Sequence, residues 1–118
     1  MLYKNINIGG NTYKMCAAAS VNIVYQNIFN EDFLVKLNTE HPESSILPFM
    51  QMAFVMAKVG ELGRKQANTL TKEDYEDWLD EFTFSDLIAA MEDIQTLYLQ
   101  SSSGTLDSKK NKSELSGN

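Results

Sequence analysis

The stretch from Ile46 to Leu62 limits what this chain can become. Its apolar residues are Ile46, Leu47, Phe49, Met50, Met52, Ala53, Phe54, Val55, Met56, Ala57, Val59 and Leu62. At helical spacing they pass almost all the way round the cylinder. A helix without a polar face cannot lie on a surface, so it runs through the middle of a domain with neighbours on several sides. Pro48 is tolerated in a first turn that starts near Ser45. Gly60 and Gly63 weaken the last turns, and the helix is expected to fray through Arg64 to Asn68. The stretch is interrupted by Pro48, Gln51 and Lys58 and falls short of the ~20 apolar residues that a bilayer requires, which excludes a membrane span.

The remaining segments supply the neighbours. Ile6 and Ile8 share one face of an N-terminal strand, Gly9-Gly10-Asn11 makes a tight turn, and Thr12 to Met15 returns as the second strand of a hairpin. From Ala17 the period lengthens. Ala17, Val21, Val24, Tyr25 and Ile28 form one helical stripe. Asn30 is placed to cap a short second helix with Phe33, Leu34 and Leu37 on its buried edge, and Asn38 to Ser45 reads as a loop. After the central helix, Thr71 opens a fourth helix in a capping-box arrangement with Asp74. Tyr75, Trp78, Leu79 and Phe82 face inward there, and Glu73, Asp77, Asp80 and Glu81 face water. Ser85 is the expected cap of a fifth helix that buries Leu87, Ile88, Met91, Ile94 and Tyr98. The predicted fold is therefore α+β and mostly α, a small N-terminal β-hairpin packed on a bundle of about five helices. One domain spans residues 1–100, and residues 101–118 form a polar, disordered tail.

Charge is unevenly spread. The formal net charge is −6, yet residues 1–69 carry six basic and five acidic groups, whereas residues 70–100 carry one basic and nine acidic groups. Such an acidic segment repels phosphate backbones, which argues against direct nucleic-acid binding. Cys16 is the only cysteine, so no intrachain disulfide forms and the chain suits a reducing compartment. The start MLYKNINIGG lacks the apolar run of a secretory signal, and the expectation is a soluble, cytosolic protein.

No catalytic constellation emerges, and no enzyme, metal or cofactor is expected. His41 is the sole histidine, in a proline-containing loop, and a metal would need further ligands. Cys16 and His41 could pair as nucleophile and base only if the fold joined them, and a lone cysteine is commonly a buried filler. The carboxylate pairs Glu73-Asp74, Glu76-Asp77, Asp80-Glu81 and Glu92-Asp93 sit opposite the apolar stripes, in water, rather than in a cleft that would separate their pKa values. Gly9-Gly10 lacks the spacing of a phosphate loop. The Met-rich central helix admits two readings. Its thioethers either fill irregular core gaps or, with the nearby phenylalanines, line a groove that receives a partner helix.

The order of features resembles the tail assembly chaperones of long-tailed phages and prophages of Gram-positive bacteria. The features are the hairpin with Gly9-Gly10-Asn11 and Tyr13, several helices, the block LTKEDYEDWLDEF (Leu70 to Phe82), an acidic last helix ending near Tyr98, and a Ser/Lys-rich C-terminus. The resemblance implies a non-catalytic protein of the host bacterial cytoplasm, absent from the mature virion. Such a protein binds the long, helical tape measure protein and keeps it soluble while the tail tube assembles. It implies the tail tube protein as a second candidate partner, leaves room for self-association, and involves neither nucleic acid nor membrane. A longer frameshifted form is also a family trait, and Lys109-Lys110 is compatible with a slippery codon pair. Within that picture Phe49, Met52, Phe54 and Met56 are the expected cargo-facing residues, and Tyr75 and Trp78 serve the fold. The competing reading is an acidic nucleic-acid mimic that inhibits a DNA-binding protein through Asp77, Asp80 and Glu81.

Overall fold

In a computed structural model, residues 1–39 and 46–113 are described, apart from the side chains of residue 39 and residues 102–113. The elements are β1 (Leu2–Ile8), β2 (Asn11–Ala17), α1 (Ser20–Phe29), α2 (Phe33–Thr39), α3 (Ile46–Leu62), α4 (Arg64–Ala67), α5 (Lys72–Leu79) and α6 (Phe84–Ser113). The architecture is α+β and mostly α, with the hairpin laid on the helices. β1 and β2 pair antiparallel, one residue against one, from Leu2 opposite Ala17 to Ile8 opposite Asn11. Gly9 and Gly10 both take positive φ, as the two-residue turn demands.

α3 is the central helix. Every residue from Pro48 to Ala57 is buried except Gln51, which is half-buried. The hairpin and α6 enclose it together with α1, α2, α4 and α5. Gly60 allows a close approach of one backbone to another. A methyl group there would run into the carbonyl of Lys14 and crowd the amide of Cys16, so the outer edge of β2 rests on the α3 backbone. The glycine that weakens the helix thus seats the hairpin. The stretch expected to fray instead makes one further turn, α4, whose Ala67 is buried.

Two caps differ from expectation. Asn30 ends α1 rather than starting α2: it adopts the left-handed conformation at φ 59° and its N–H donates to the Gln26 carbonyl at 2.7 Å. Asp32 takes the capping role, its Oδ1 accepting from the amides of Leu34 at 2.9 Å and Val35 at 3.2 Å. Thr83, not Ser85, starts α6. Its Oγ1 accepts from the Asp86 amide at 3.1 Å while Asp86 Oδ2 accepts from the Thr83 amide at 3.2 Å. The Thr71–Asp74 box on α5 is present as read, with the Thr71 amide donating to Asp74 Oδ2 at 2.8 Å.

The core holds a continuous chain of aromatic rings that takes in every aromatic residue except Tyr3 and Phe84. It starts with Phe82, Tyr13 and Trp78 and passes through Phe54 and Tyr75 to Phe29, Tyr25 and Phe33. It ends at Phe49 and Tyr98. Most contacts are edge-to-face, with centroids 4.9–6.1 Å apart, the geometry favoured by the ring quadrupole. Tyr75 and Trp78 are buried in it, in the structural role the sequence suggests. The loop containing His41 lies outside the described residues apart from Asn38 and Thr39, which belong to α2. The backbone of α6 continues to Ser113, while the side chains beyond Ser101 and all of residues 114–118 lie outside the described set. The disordered tail expected from residue 101 therefore begins inside α6 rather than after it, and only its last five residues lie wholly outside the described set.

Candidate functional site

The four residues expected to face a partner are core residues. Phe49 is 5% exposed, and Met52, Phe54 and Met56 are fully buried. Phe54 stacks edge-on against Tyr75 and Trp78, each 5.6 Å between centroids, and Phe49 lies against Phe33 and Tyr98. The bundle and hairpin close round α3 from Pro48 to Ala57, so the apolar girth of that stretch is explained without a client. A polar side chain at Phe54 or Met56 would be buried without partners and would unfold the domain, so these positions cannot report on binding.

Apolar surface lies elsewhere. Leu34 on α2, Leu47 on the first turn of α3 and Leu99 on α6 are each 52–60% exposed. They occupy the helical turns that carry Phe33, Phe49 and Tyr98, three rings in mutual contact at 5.0–5.8 Å. Asn22 Oδ1 accepts from the Tyr98 hydroxyl at 2.7 Å, which fixes α6 against α1 at this end. Gln51 Oε1 accepts from the Tyr25 hydroxyl at 2.5 Å and from Lys36 Nζ at 3.5 Å. Exposed leucines close in the chain to buried rings offer apolar contacts that a partner helix could cover. Sequence reasoning placed Leu34 and Ile88 inside. Leu34 is out because the Asp32 cap sets the phase of α2, and Ile88 is 38% exposed at the margin of its stripe.

The acids of α5 and the turn after it point outward: Glu73, Glu76, Asp77, Asp80 and Glu81 are exposed. Asp86 is the exception in role, because its carboxylate closes the α6 cap and also lies directly under Gly9 of the hairpin turn. Burial raises the Tyr13 phenol, with the nearby Glu81 charge adding to the effect. It pushes Tyr75 up to about 12, again with help from a carboxylate, Glu76. Cys16 is fully buried within β2, and burial raises its thiol, the opposite of the activation that a nucleophile needs.

Two clefts flank the junction of hairpin and α3. One, of about 350 Å³, is lined by Tyr13, Lys14, Gly60 and Glu61 among others. A second, of about 330 Å³, is lined by Tyr3, Ser20, Gly63 and Arg64 among others. Among the described residues, neither is lined by a thiol or an imidazole. Among the described residues no group of His, Cys, Asp or Glu side chains could hold a metal ion, and no helix is long and apolar enough to cross a membrane. Comparison with protein-family models, with curated proteins and with solved structures finds no match.

Proposed function

We propose that the chain is a non-catalytic holding protein, a phage tail assembly chaperone. It would bind the tape measure protein and keep that long helical client soluble in the bacterial cytoplasm while the tail tube forms, then stay out of the finished virion. The observation that carries this reading is the exposed set Leu34, Leu47 and Leu99 on the turns that hold the Phe33–Phe49–Tyr98 cluster. It replaces the groove expected on α3. The exposed acids of α5 support the same reading, because they keep a loaded complex soluble.

The test is co-expression with a tape measure fragment that is insoluble alone. The native chain should raise the soluble fraction of the fragment severalfold. Leu34→Asp with Leu47→Asp should abolish the rescue while the thermal midpoint of the domain stays within a few degrees, because both side chains already face water. A native chain that never associates with such fragments would end the proposal. The exposure of Asp77, Asp80 and Glu81 also favours the nucleic-acid mimic. Inhibition of a DNA-binding protein that disappears on Asp77→Asn, Asp80→Asn and Glu81→Gln, with fragment rescue unaffected, would establish that alternative instead.

A further inference from the structure

The hairpin is buried unequally. Across the pairs Leu2–Ala17, Lys4–Met15 and Tyr3–Cys16, the β2 residues are fully buried while the β1 residues are exposed. Leu2, Tyr3, Lys4 and Asn5 are exposed in succession, so this half of β1 meets solvent on both faces. Its backbone polarity follows from the Gly60 contact. The Lys14 carbonyl and the Cys16 amide point out of β2 toward α3, so Lys14 and Cys16 belong to non-hydrogen-bonded pairs with Asn5 and Tyr3. By the same alternation Asn7 pairs in this way with Thr12. The N–H and C=O groups of Tyr3, Asn5 and Asn7 therefore point away from β2, along the free edge of β1. Among the described residues none of these groups has a backbone partner. The strand has no bulge, proline or internal glycine to blunt that edge, and Lys4 is its only charge.

We propose that the edge of β1 pairs antiparallel with the same edge of a second copy of this chain, about a two-fold axis at Asn5. The four-stranded sheet then runs β2, β1, and β1 and β2 of the second copy. The register is selected by the sequence of the strand. With Asn5 opposite Asn5 of the second copy, all seven residues of β1 are in register: Tyr3 faces Asn7, Lys4 faces Ile6 and Leu2 faces Ile8. A two-fold centred on Lys4 would set two ammonium groups directly opposite each other, a destabilising pair. Each Asn5 carboxamide is both donor and acceptor and so complements its own copy. A strand with no carboxylate and one cation, placed so that it never meets itself, is matched to self-pairing. One strand pair is small beside the ~1,200–2,000 Å² of stable complexes, so the dimer is weak and concentration-dependent.

Sedimentation of the full chain over a concentration series up to ~1 mM tests this directly. The mass should rise from 13.3 kDa toward twice that value. Asn5→Lys leaves the β1–β2 ladder intact and sets like charges opposite each other at the axis, so it should weaken dimerisation at least tenfold with an unchanged thermal midpoint. Asn5→Cys should give a disulfide-linked dimer on oxidation, because directly opposed residues in such a pair lie about 5.5 Å apart at Cα. The buried Cys16 should stay unreacted. A protein that remains monomeric throughout, or a dimer indifferent to Asn5→Lys, overturns the proposal. The outcome is independent of whether a tape measure fragment binds.

Discussion

Gly60 carries more of the fold than its place in a helix suggests. In isolation a helical glycine costs about 1 kcal/mol relative to alanine, and the sequence offers no other reading of it. In the structure it is the point where the α3 backbone meets the β2 edge. Gly60→Ala should therefore lower stability by about 1–3 kcal/mol in denaturant titration despite the gain in helix propensity, and should loosen the hairpin first in amide exchange. Tyr75 gives a residue-level prediction with a definite sign. Its phenol stays protonated to about pH 12 in the folded state, chiefly through burial, whereas an unfolded tyrosine ionises near 10. Stability from this group is complete below pH 10 and is lost as pH climbs from 10 toward 12, because only the unfolded chain releases the proton early. Urea midpoints measured between pH 9 and 11.5 should fall less steeply for Tyr75→Phe than for the native chain. Parallel curves would show that Tyr75 is not the group responsible.

Elements were legible where local chemistry alone determines them. The hairpin turn at Gly9-Gly10, the Thr71–Asp74 box and the all-round apolar face of α3 follow from steric and hydrogen-bonding rules within a few residues of each other. Caps with two eligible neighbours were not. Asn30 and Asp32 can each cap a helix start, and only the chain direction after Phe29 decides that Asn30 bends left-handed while Asp32 receives the amides. Thr83 and Ser85 pose the same ambiguity, settled by Asp86, which lies three residues after Thr83. Thr83→Ala removes one half of that box, and the expected cost is about 0.5–2 kcal/mol. Because Asp86 also supports Gly9, the substitution should disturb the amide resonances of the hairpin turn, a non-local effect that Thr71→Ala should lack.

At the scale of the whole molecule, the general layout was readable and the interaction surface was not. A sequence shows how much of α3 is apolar, but not how many elements are available to cover it. Here hairpin and helices together suffice, so Phe49, Met52, Phe54 and Met56 go inside, and the exposed apolar positions, among them Ile23, Leu34, Val35, Leu47, Phe84 and Leu99, lie on several elements where no periodic pattern marks them out. The chaperone reading accordingly depends on Leu34 and Leu47, and the dimer on the β1 edge, two surfaces that can succeed or fail separately.

The seating of the hairpin also has a consequence for how the protein is made. Ile6 and Ile8 find their cover partly on α6, which is synthesised after every other described element. Until Asp86 arrives beneath Gly9 and Tyr98 reaches Asn22, the nascent chain has no way to shut its interior. Ile6 and Ile8 therefore wait during synthesis until α6 has followed them out before their cover is complete.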